Sequence, residues 1–332
     1  MRKRGLDISV KQKGLFGMPP GLLLSAVSFL AGMLATGGWF VVSGNSAILP
    51  SGQAGNMTLD RLITMPEQEL ESVDIACMNL LCAEGLPGSD GLDIQQSMVM
   101  LDQWAEMIRK DTDSRLASFQ ANPKKYDNSV NLFKVVNMVL CLKEQIGVDY
   151  NQEIMRRTEF PDSKDVFILG CITGKKEGGC VSIPTLCVTV GRRLGYPLKL
   201  VLTREHVFFR WDDGREVFNM EACCPGCDTH PDDYYRSWPR PVSEQEVKDN
   251  HFLRSLTAAE ELGLFLEMRG HCLFDSGRLA EAQVMYANAY RLMPAQVRLG
   301  HMDRVIREEL RKISTQVITD SVRRTDHDTK IQ

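Results

Sequence analysis

The chain has 332 residues with an ordinary globular composition, in which 43% are hydrophobic and 25% are charged. Its formal net charge is −4, and it contains no basic stripe with interleaved aromatic residues, which argues against a nucleic-acid-binding protein. The length is sufficient for one domain with appendages or for two small domains.

The N-terminal segment has the pattern of a membrane anchor. No charged residue occurs between Lys13 and Asp60, and Gly21–Val42 is almost wholly apolar and long enough to span a bilayer. Before it stand one acidic residue, Asp7, and five basic residues, Arg2, Lys3, Arg4, Lys11 and Lys13. By the positive-inside rule, residues 1–19 stay cytoplasmic and the bulk of the chain is exported to a periplasmic or other extracytoplasmic space.

The alternative to an anchor is a cleaved signal peptide, whose apolar region is usually ~7–15 residues long. The apolar stretch here is longer, so we predict an uncleaved, single-pass transmembrane helix over residues 20–42, with the lipid bilayer as a partner. Residues 43–64, which begin with many small and polar residues, are expected to form a flexible linker.

Helices dominate the segment after the linker. Apolar residues recur at helical spacing over Leu70–Leu81, Met98–Ile108 and Ser129–Ile146. In the second of these segments, one face carries Met98, Leu101, Ala105 and Ile108. We expect the three helices to cover a core that begins with a short strand at Val166–Leu169.

A cysteine stands at the start of the next predicted helix. Gly178-Gly179-Cys180 is followed by apolar residues at helical spacing, and Gly195-Tyr196-Pro197 supplies a stop signal. Pro184 fits because it falls in the first turn, where its missing N–H costs nothing. A helix N-terminus favours negative charge, so Cys180 is the candidate for a reactive thiolate. The glycine pair would let a substrate backbone come close.

Three extended runs follow this helix and predict an antiparallel sheet: Leu198–Thr203, His206–Trp211 and Arg215–Glu221. The expected hairpin turn between the last two is Asp213-Gly214. Side chains alternate between the two faces of a strand, so one face of this hairpin is apolar and the other carries the polar residues.

Strand parity gives His206 a polar partner. With a turn at Asp213-Gly214, His206 lies opposite Glu221. If the turn slips to Asp212-Asp213, His206 lies opposite Asn219, and the same residues still face inward. A side chain that orients an imidazole is therefore expected at Asn219 or at Glu221, and parity does not choose between them.

A compact group of candidate metal ligands follows the third strand. Cys223, Cys224, Cys227 and His230 lie within eight residues, and a Cys-x-x-Cys pair with a nearby His forms part of many zinc sites. No second pair follows, so we predict no metal and no other cofactor, and we favour an ordinary loop. A disulfide between two of these cysteines is the alternative that an exported location allows.

The C-terminal region, residues 241–315, has the pattern of a tetratricopeptide-like helical hairpin. The residues at that repeat's spacing are Gly270, Ala282, Tyr286, Ala289 and Pro294. Capping boxes at Ser243–Glu246 and Thr257–Glu260 predict helix starts before it. A single repeat cannot bury its own core, so it packs on the rest of the chain or binds a protein partner. Residues 316–332 are polar and are predicted to be a disordered tail.

Four segments around these candidates carry a family resemblance: Gly178–Pro184, Gly191–Leu202, His206–Trp211 and Phe218–Ala222. They resemble the bacterial transglutaminase-like proteins of the SirB type, over residues 66–295. The resemblance implies an α+β, papain-like core in which the helix bearing the cysteine packs on a small antiparallel sheet. It places this domain at residues 65–240, with a helical N-terminal half and with the helical hairpin behind it.

By position, the resemblance makes Cys180 the nucleophile and His206 the general base. Asn219 falls where the family usually has Asp, and Glu221 is the alternative third member. The chemistry implied is acyl transfer at a peptide or protein amide, as in a protease, an amidase or a transglutaminase, without a cofactor. The alternative is a catalytically weak or inactive binding or scaffold protein that uses the helical hairpin to bind another protein.

Overall fold

The computed structural model describes residues 57–157, 159–222 and 227–329. The predicted anchor at residues 20–42, most of the predicted linker, and both Cys223 and Cys224 lie outside these ranges. Within them, no helix combines the length and apolar character needed to cross a bilayer.

The described chain is mainly helical and carries two small sheets, as expected of an α+β protein. The helices before the sheet are α1 (Leu59–Thr64), α2 (Glu67–Leu70), α3 (Ile75–Ala83), α4 (Ile94–Ala121), α5 (Val130–Glu144), α6 (Ile168–Ile172) and α7 (Ser182–Arg193). Those after it are α8 (Asp232–Tyr235), α9 (Glu244–Asp249), α10 (Ala258–Asp275), α11 (Leu279–Leu292) and α12 (Val297–Thr329). The strands are β1 (Asp149–Tyr150), β2 (Glu177–Gly178), β3 (Leu198–Thr203), β4 (His206–Asp212) and β5 (Val217–Met220).

The helical front half agrees with the sequence pattern except at one break. The predicted apolar face of α4 is buried at all four positions, Met98, Leu101, Ala105 and Ile108. The predicted helix over Leu70–Leu81, however, is divided between α2 and α3. The division falls where Asp74 caps α3, its side chain accepting a hydrogen bond of 2.7 Å from the backbone N–H of Ala76.

The predicted strand at Val166–Leu169 is wrong. Val166 and Phe167 instead link a 3-10 helix (Ser163–Asp165) to α6, and Ile168, which begins α6, donates its N–H to Asn79 Oδ1 at 3.0 Å. A short apolar run that is buried on all sides has no periodicity by which a strand can be told from a helix. The strand in this region is β2, which pairs in parallel with β1 directly before Cys180.

The main sheet is antiparallel in the order β3-β4-β5, but the predicted hairpin register is off by two residues. Asp212 pairs with Val217 and Arg210 with Asn219, so neither predicted turn is present. The loop has four residues because Asp213 Oδ1 accepts hydrogen bonds from the backbone N–H groups of Arg215 and Glu216, both at 2.8 Å. A shift of two residues leaves the faces unchanged, so Glu221 still shares a face with His206.

The C-terminal helices form the predicted hairpin, which packs on the rest of the chain. Both capping boxes are present, at the starts of α9 and α10. A Cβ on Gly270 would come within 3.0 Å of the Tyr286 ring, so the glycine lets α10 and α11 approach closely. From α10, Arg269 donates to the backbone carbonyls of Cys82 and Glu84 at the end of α3, at 2.9 and 2.7 Å.

The backbone after the hairpin differs from the predicted disordered tail. Helix α12 continues to Thr329 instead of ending near residue 315. Ion pairs one turn apart, such as Arg307 with Asp303 and Lys312 with Glu309, line its earlier part. A polar sequence with such pairs is compatible with a helix as well as with disorder.

An ion pair between the buried Glu267 and the half-exposed Arg298 joins α12 to the hairpin and gives a stability prediction. Arg298 binds both carboxylate oxygens of Glu267, at 3.0 and 2.8 Å. Burial acts to raise the pKa of Glu267, but the charges of Arg298 and His271 outweigh it and lower that pKa from 4.5 to about 2. The pair therefore stabilises the fold fully above pH 4.5, and this contribution is lost as the pH falls through about 2.

We expect Glu267→Gln to lower the free energy of unfolding at pH 7 by about 3 kcal/mol. The difference from the parent should shrink at pH 3, because the parent itself loses part of the contribution there. Urea denaturation at both pH values measures this. The matched control is Glu281→Gln, which breaks a surface pair with Arg278 and should cost less than about 1 kcal/mol. A loss for Glu267→Gln that is the same at both pH values would contradict the prediction.

Candidate active site

Cys180 lies one residue before Val181, the N-cap of α7, and its side chain is partly exposed. The turn is fixed by Gly179, whose N–H donates to Ser182 Oγ at 2.9 Å and whose carbonyl accepts from the Ile183 N–H at 3.1 Å. Within the described chain, the backbone N–H groups of Cys180 and Val181 have no hydrogen-bond partner. Two free donors beside a partly exposed thiol can bind the oxyanion of an acyl intermediate.

The glycine pair before Cys180 serves internal packing, and the expectation that it admits a substrate backbone is wrong. A Cβ on Gly178 would come within 2.5 Å of Cys171 Sγ and 2.7 Å of Ser182 Oγ. A Cβ on Gly179 would come within 2.9 Å of the Ile154 side chain. Protein side chains already occupy the space that these glycines leave.

Cys180 differs from the other cysteines in its exposure. Of the eight cysteines described, seven are buried, and only Cys180 is partly exposed. Burial raises the pKa of each of the seven: Cys77, Cys82, Cys141, Cys171, Cys187, Cys227 and Cys272. A thiol is nucleophilic only as the thiolate, so those seven are poor nucleophiles and Cys180 is the candidate.

His206 begins β4 and is held by a buried carboxylate. Its Nε2 lies 2.7 Å from Glu221 Oε2, and neither side chain is accessible to solvent. Burial acts to lower the pKa of His206, but the interactions with Cys180 and Glu221 outweigh it and raise that pKa from 6.5 to about 9. The imidazolium form is therefore favoured at neutral pH.

The second ring nitrogen of His206, Nδ1, is the one available to the thiol. Nδ1 is buried and forms no well-aligned hydrogen bond within the described chain. The Cys180 side chain also interacts with the ring, and since Nε2 is bound to Glu221, Nδ1 is the nitrogen left for the thiol. The order of groups is thus thiol, imidazole, carboxylate, the order that an activated cysteine requires.

Asn219, the first choice for the third member by family position, makes other contacts. Its Oδ1 accepts from Arg210 Nε at 2.7 Å, and its Nδ2 donates to the His230 carbonyl at 2.9 Å and to Asp232 Oδ1 at 2.8 Å. None of these atoms belongs to His206. Glu221, the alternative, is the residue that contacts His206, because it reaches diagonally across the sheet in the shifted register.

Aromatic residues that the sequence analysis did not select surround the His206 ring. Trp238 meets it edge-on, with 4.7 Å between ring centroids, and Tyr235 lies parallel to it at 6.3 Å. Tyr235 in turn stacks on Phe208 at 3.7 Å. The signal available in the sequence was the density of aromatic residues between 234 and 238, which follows the cysteine-rich loop.

The predictions about metals and disulfides concern a loop of which only part is described. Cys227 is a free, buried thiol, and Cys223 and Cys224 lie outside the described ranges. Elsewhere in the described chain, no three His, Cys, Asp or Glu side chains are placed to hold a metal ion. His230 stacks on Tyr234 at 3.8 Å.

Comparison with known proteins gives no match: no family model fits the chain, and no curated protein or solved structure is detectably similar to it. What can be said of its chemistry therefore comes from the geometry of Cys180, His206 and Glu221 and from the sequence motifs around them.

Proposed function

We propose that this protein is a transglutaminase-like thiol enzyme that acts on peptide or protein amides through Cys180, His206 and Glu221. The observation that carries the proposal is the His206 ring, which is held between the Cys180 side chain and the buried Glu221 carboxylate. The family resemblance supports the same arrangement, and it extends the proposal to a papain-like core. Glu221 takes the place that the resemblance gives to residue 219.

In the first half of the reaction, the Cys180 thiolate attacks the amide carbonyl and forms a C–S bond. The carbonyl oxygen becomes an oxyanion, which the free N–H groups of Cys180 and Val181 stabilise. The intermediate collapses as His206 gives its Nδ1 proton to the leaving amine, and a thioester on Cys180 remains. Glu221 keeps the Nε2–H bonded throughout, so the ring holds its orientation.

In the second half, an acceptor cleaves the thioester. His206, now neutral, takes a proton from the acceptor as it attacks, and the Cys180 thiolate leaves. Water as the acceptor gives a protease, amidase or deamidase, and a primary amine gives a transglutaminase. Both outcomes use the same three residues.

A non-catalytic scaffold is the competing interpretation, and its main argument was the Asn at position 219. A carboxylate at Glu221, 2.7 Å from His206, weakens that argument. The tetratricopeptide-like hairpin as a surface for a protein partner is compatible with either function.

We also propose that the protein is exported and membrane-anchored, on the basis of the apolar residues 20–42. A reporter fused after residue 60 that stays in the cytoplasm would contradict this location.

Alkylation of the full-length protein by iodoacetamide tests the proposal without a known substrate. At pH 6 an ordinary thiol of pKa ~8.5 is almost fully protonated, so we expect Cys180 to react at least about 10-fold faster than a free cysteine. Peptide mapping by mass spectrometry identifies the labelled residue.

Two variants complete this experiment. His206→Ala should remove the fast reaction, and Cys180→Ser should remove the labelled peptide while leaving the slower, buried cysteines unchanged. The enzyme proposal fails if Cys180 reacts like a free thiol across pH 5–9 and if His206→Ala does not change its rate.

A further inference from the structure

A second polar cluster lies on the His206 face of the sheet, and the proposed reaction does not use it. It consists of Arg210, Asn219 and Asp232. Arg210 donates from Nε to Asn219 Oδ1 at 2.7 Å and from Nη2 to Asp232 Oδ1 at 2.5 Å. Asn219 closes the triangle by donating from Nδ2 to the same Asp232 oxygen at 2.8 Å. Arg210 and Asn219 are both buried.

This cluster requires an amide at position 219. The side chain must accept from a guanidinium on one side and donate to the His230 carbonyl and the Asp232 carboxylate on the other. An amide does both, whereas an ionised carboxylate only accepts. An Asp here would place two carboxylates side by side and leave the His230 carbonyl without its donor.

The segment held by the cluster carries the aromatic residues around His206. Asp232 is the first residue of α8, and Tyr235, at its end, stacks on Phe208. Trp238 follows and meets the His206 ring. Two further polar links join the segment to the sheet. Thr203 Oγ1 donates to the Tyr235 carbonyl at 3.0 Å, and Glu221 and Asp228 exchange backbone hydrogen bonds of 2.8 and 3.4 Å. Asp232 and His230 are held between these two links, directly before the residues that carry both rings.

Packing alone does not fix this side of the segment. A cavity of about 500 Å³ lies between β5 and residues 229–233, and the cluster lines it. The Asp232 side chain is 45% exposed there, so hydrogen bonds rather than close contacts join the segment to the strand.

We infer that Arg210, Asn219 and Asp232 are positioning residues, which hold the segment 228–238 so that Tyr235 and Trp238 enclose the His206 ring. Asn219 also precedes Glu221 by two residues on the same face of the chain, so the cluster adds to the backbone hydrogen bonds between Glu221 and Asp228 in fixing the strand end from which Glu221 reaches His206. This inference rests on the proposed function for its catalytic consequence. It explains why Asn, and not Asp, stands at position 219.

The test compares Asn219→Asp with the exchanged pair Asn219→Asp/Asp232→Asn in the full-length protein. The single variant should raise amide hydrogen exchange across residues 228–238 by at least 10-fold and slow alkylation of Cys180 at pH 6 about 10-fold. It should also change the pH profile of that alkylation. The exchanged pair restores one carboxylate, one amide and their mutual hydrogen bond beside Arg210, so it should recover most of both losses.

Each outcome has a separate meaning. Unchanged hydrogen exchange in Asn219→Asp overturns the inference. Where the parent Cys180 reacts fast, faster hydrogen exchange with an unchanged Cys180 rate and pH profile also overturns it, since the cluster would then be structural only. Equal defects in the single variant and the exchanged pair also overturn it. The parent Cys180 could instead react like a free thiol while amide hydrogen exchange across residues 228–238 changes as expected. That result would support the positioning of the segment by the cluster and would contradict the proposed enzyme function.

Discussion

Glu221→Gln is expected to lower the rate of amide cleavage or transfer by about 10²–10⁴-fold, the range for losing an imidazole's orienting carboxylate or its acid–base partner. The amide is nearly the same size as the carboxylate, so the sheet should stay intact. It can present its NH₂ group to His206 Nε2, however, and that favours the neutral ring with its proton on Nδ1. This tautomer cannot accept the thiol proton at Nδ1, so the thiolate is not formed.

The pH dependence of Cys180 alkylation gives a readout that needs no substrate. In the parent, the pKa of His206 is about 9, because Cys180 and Glu221 outweigh the opposing effect of burial. The His206 imidazolium, the charged partner of the thiolate, should therefore persist at neutral pH and be lost as the pH rises through about 9. Without the Glu221 charge, burial dominates and lowers the pKa of His206, so fewer imidazolium–thiolate pairs form and the alkylation of Cys180 at pH 6 should slow.

The same shift has a consequence for stability. A histidine whose pKa is raised on folding stabilises the fold fully below its unfolded value of 6.5, and this contribution is lost as the pH rises through about 9. Glu221→Gln should therefore lose stability most at pH 6 and least at pH 10. The matched control is Glu205→Gln, an exposed neighbour of His206 that pairs with Arg240 at the surface. If both variants show the same alkylation profile, Glu221 does not orient His206.

The sequence predicted the members of this site better than their geometry. Alternation along β4 and β5 placed His206 on one face with both Asn219 and Glu221. These residues still share a face in the structure, because the error in the predicted register was an even number of residues. The register itself was not predictable from the Asp-Gly signal. The side chain of Asp213 captures two backbone N–H groups and stabilises a longer loop instead.

Whether Asn219 or Glu221 orients His206 depends on side-chain contacts that the alternation of residues along the strands does not reveal. Asn219 is engaged by Arg210, which faces the same side, and by Asp232, which lies beyond a loop. The resemblance noted in the sequence favoured Asn219, and the buried hydrogen bond favours Glu221. Contacts such as the one between Asn219 and Asp232 depend on the path by which the chain returns to the sheet after the cysteine-rich loop. Only a three-dimensional structure gives that path.

The ion pairs that hold α7, the helix that follows Cys180, could not be predicted from the sequence either. Arg192 and Arg193 lie in the last turn of α7, where positive charge is favourable. Arg193 in fact contacts Asp74 at 2.7 Å and Asp102 at 2.8 Å, which joins α7 to α3 and α4. Arg192 contacts Glu261 on α10 with two hydrogen bonds, at 2.9 and 2.5 Å. The C-terminal end of the helix is thus fixed to three other helices.

Breaking the pair between Arg192 and Glu261 is expected to destabilise the fold by about 3–5 kcal/mol, since removal of one partner leaves the other charge buried. The Glu261 side chain is fully buried, and Arg192 also donates from Nε to the Leu198 carbonyl at 3.1 Å. Either Glu261→Gln or Arg192→Met should lower the urea midpoint. The double replacement by Met at both positions should cost less than either single change, because it leaves no unpaired charge.

In Glu261→Gln, the reactivity of Cys180 should change far less than the stability of the fold. The pair lies at the opposite end of α7 from Cys180, across 12 helical residues or ~18 Å, so it anchors the helix without contacting the reacting groups. At a temperature where Glu261→Gln remains folded, Cys180 should therefore be alkylated at nearly the parent rate, in contrast to Glu221→Gln. A large fall in that rate in the still-folded Glu261→Gln protein would mean that the pair sets the position of the thiol and does more than hold the helix in place.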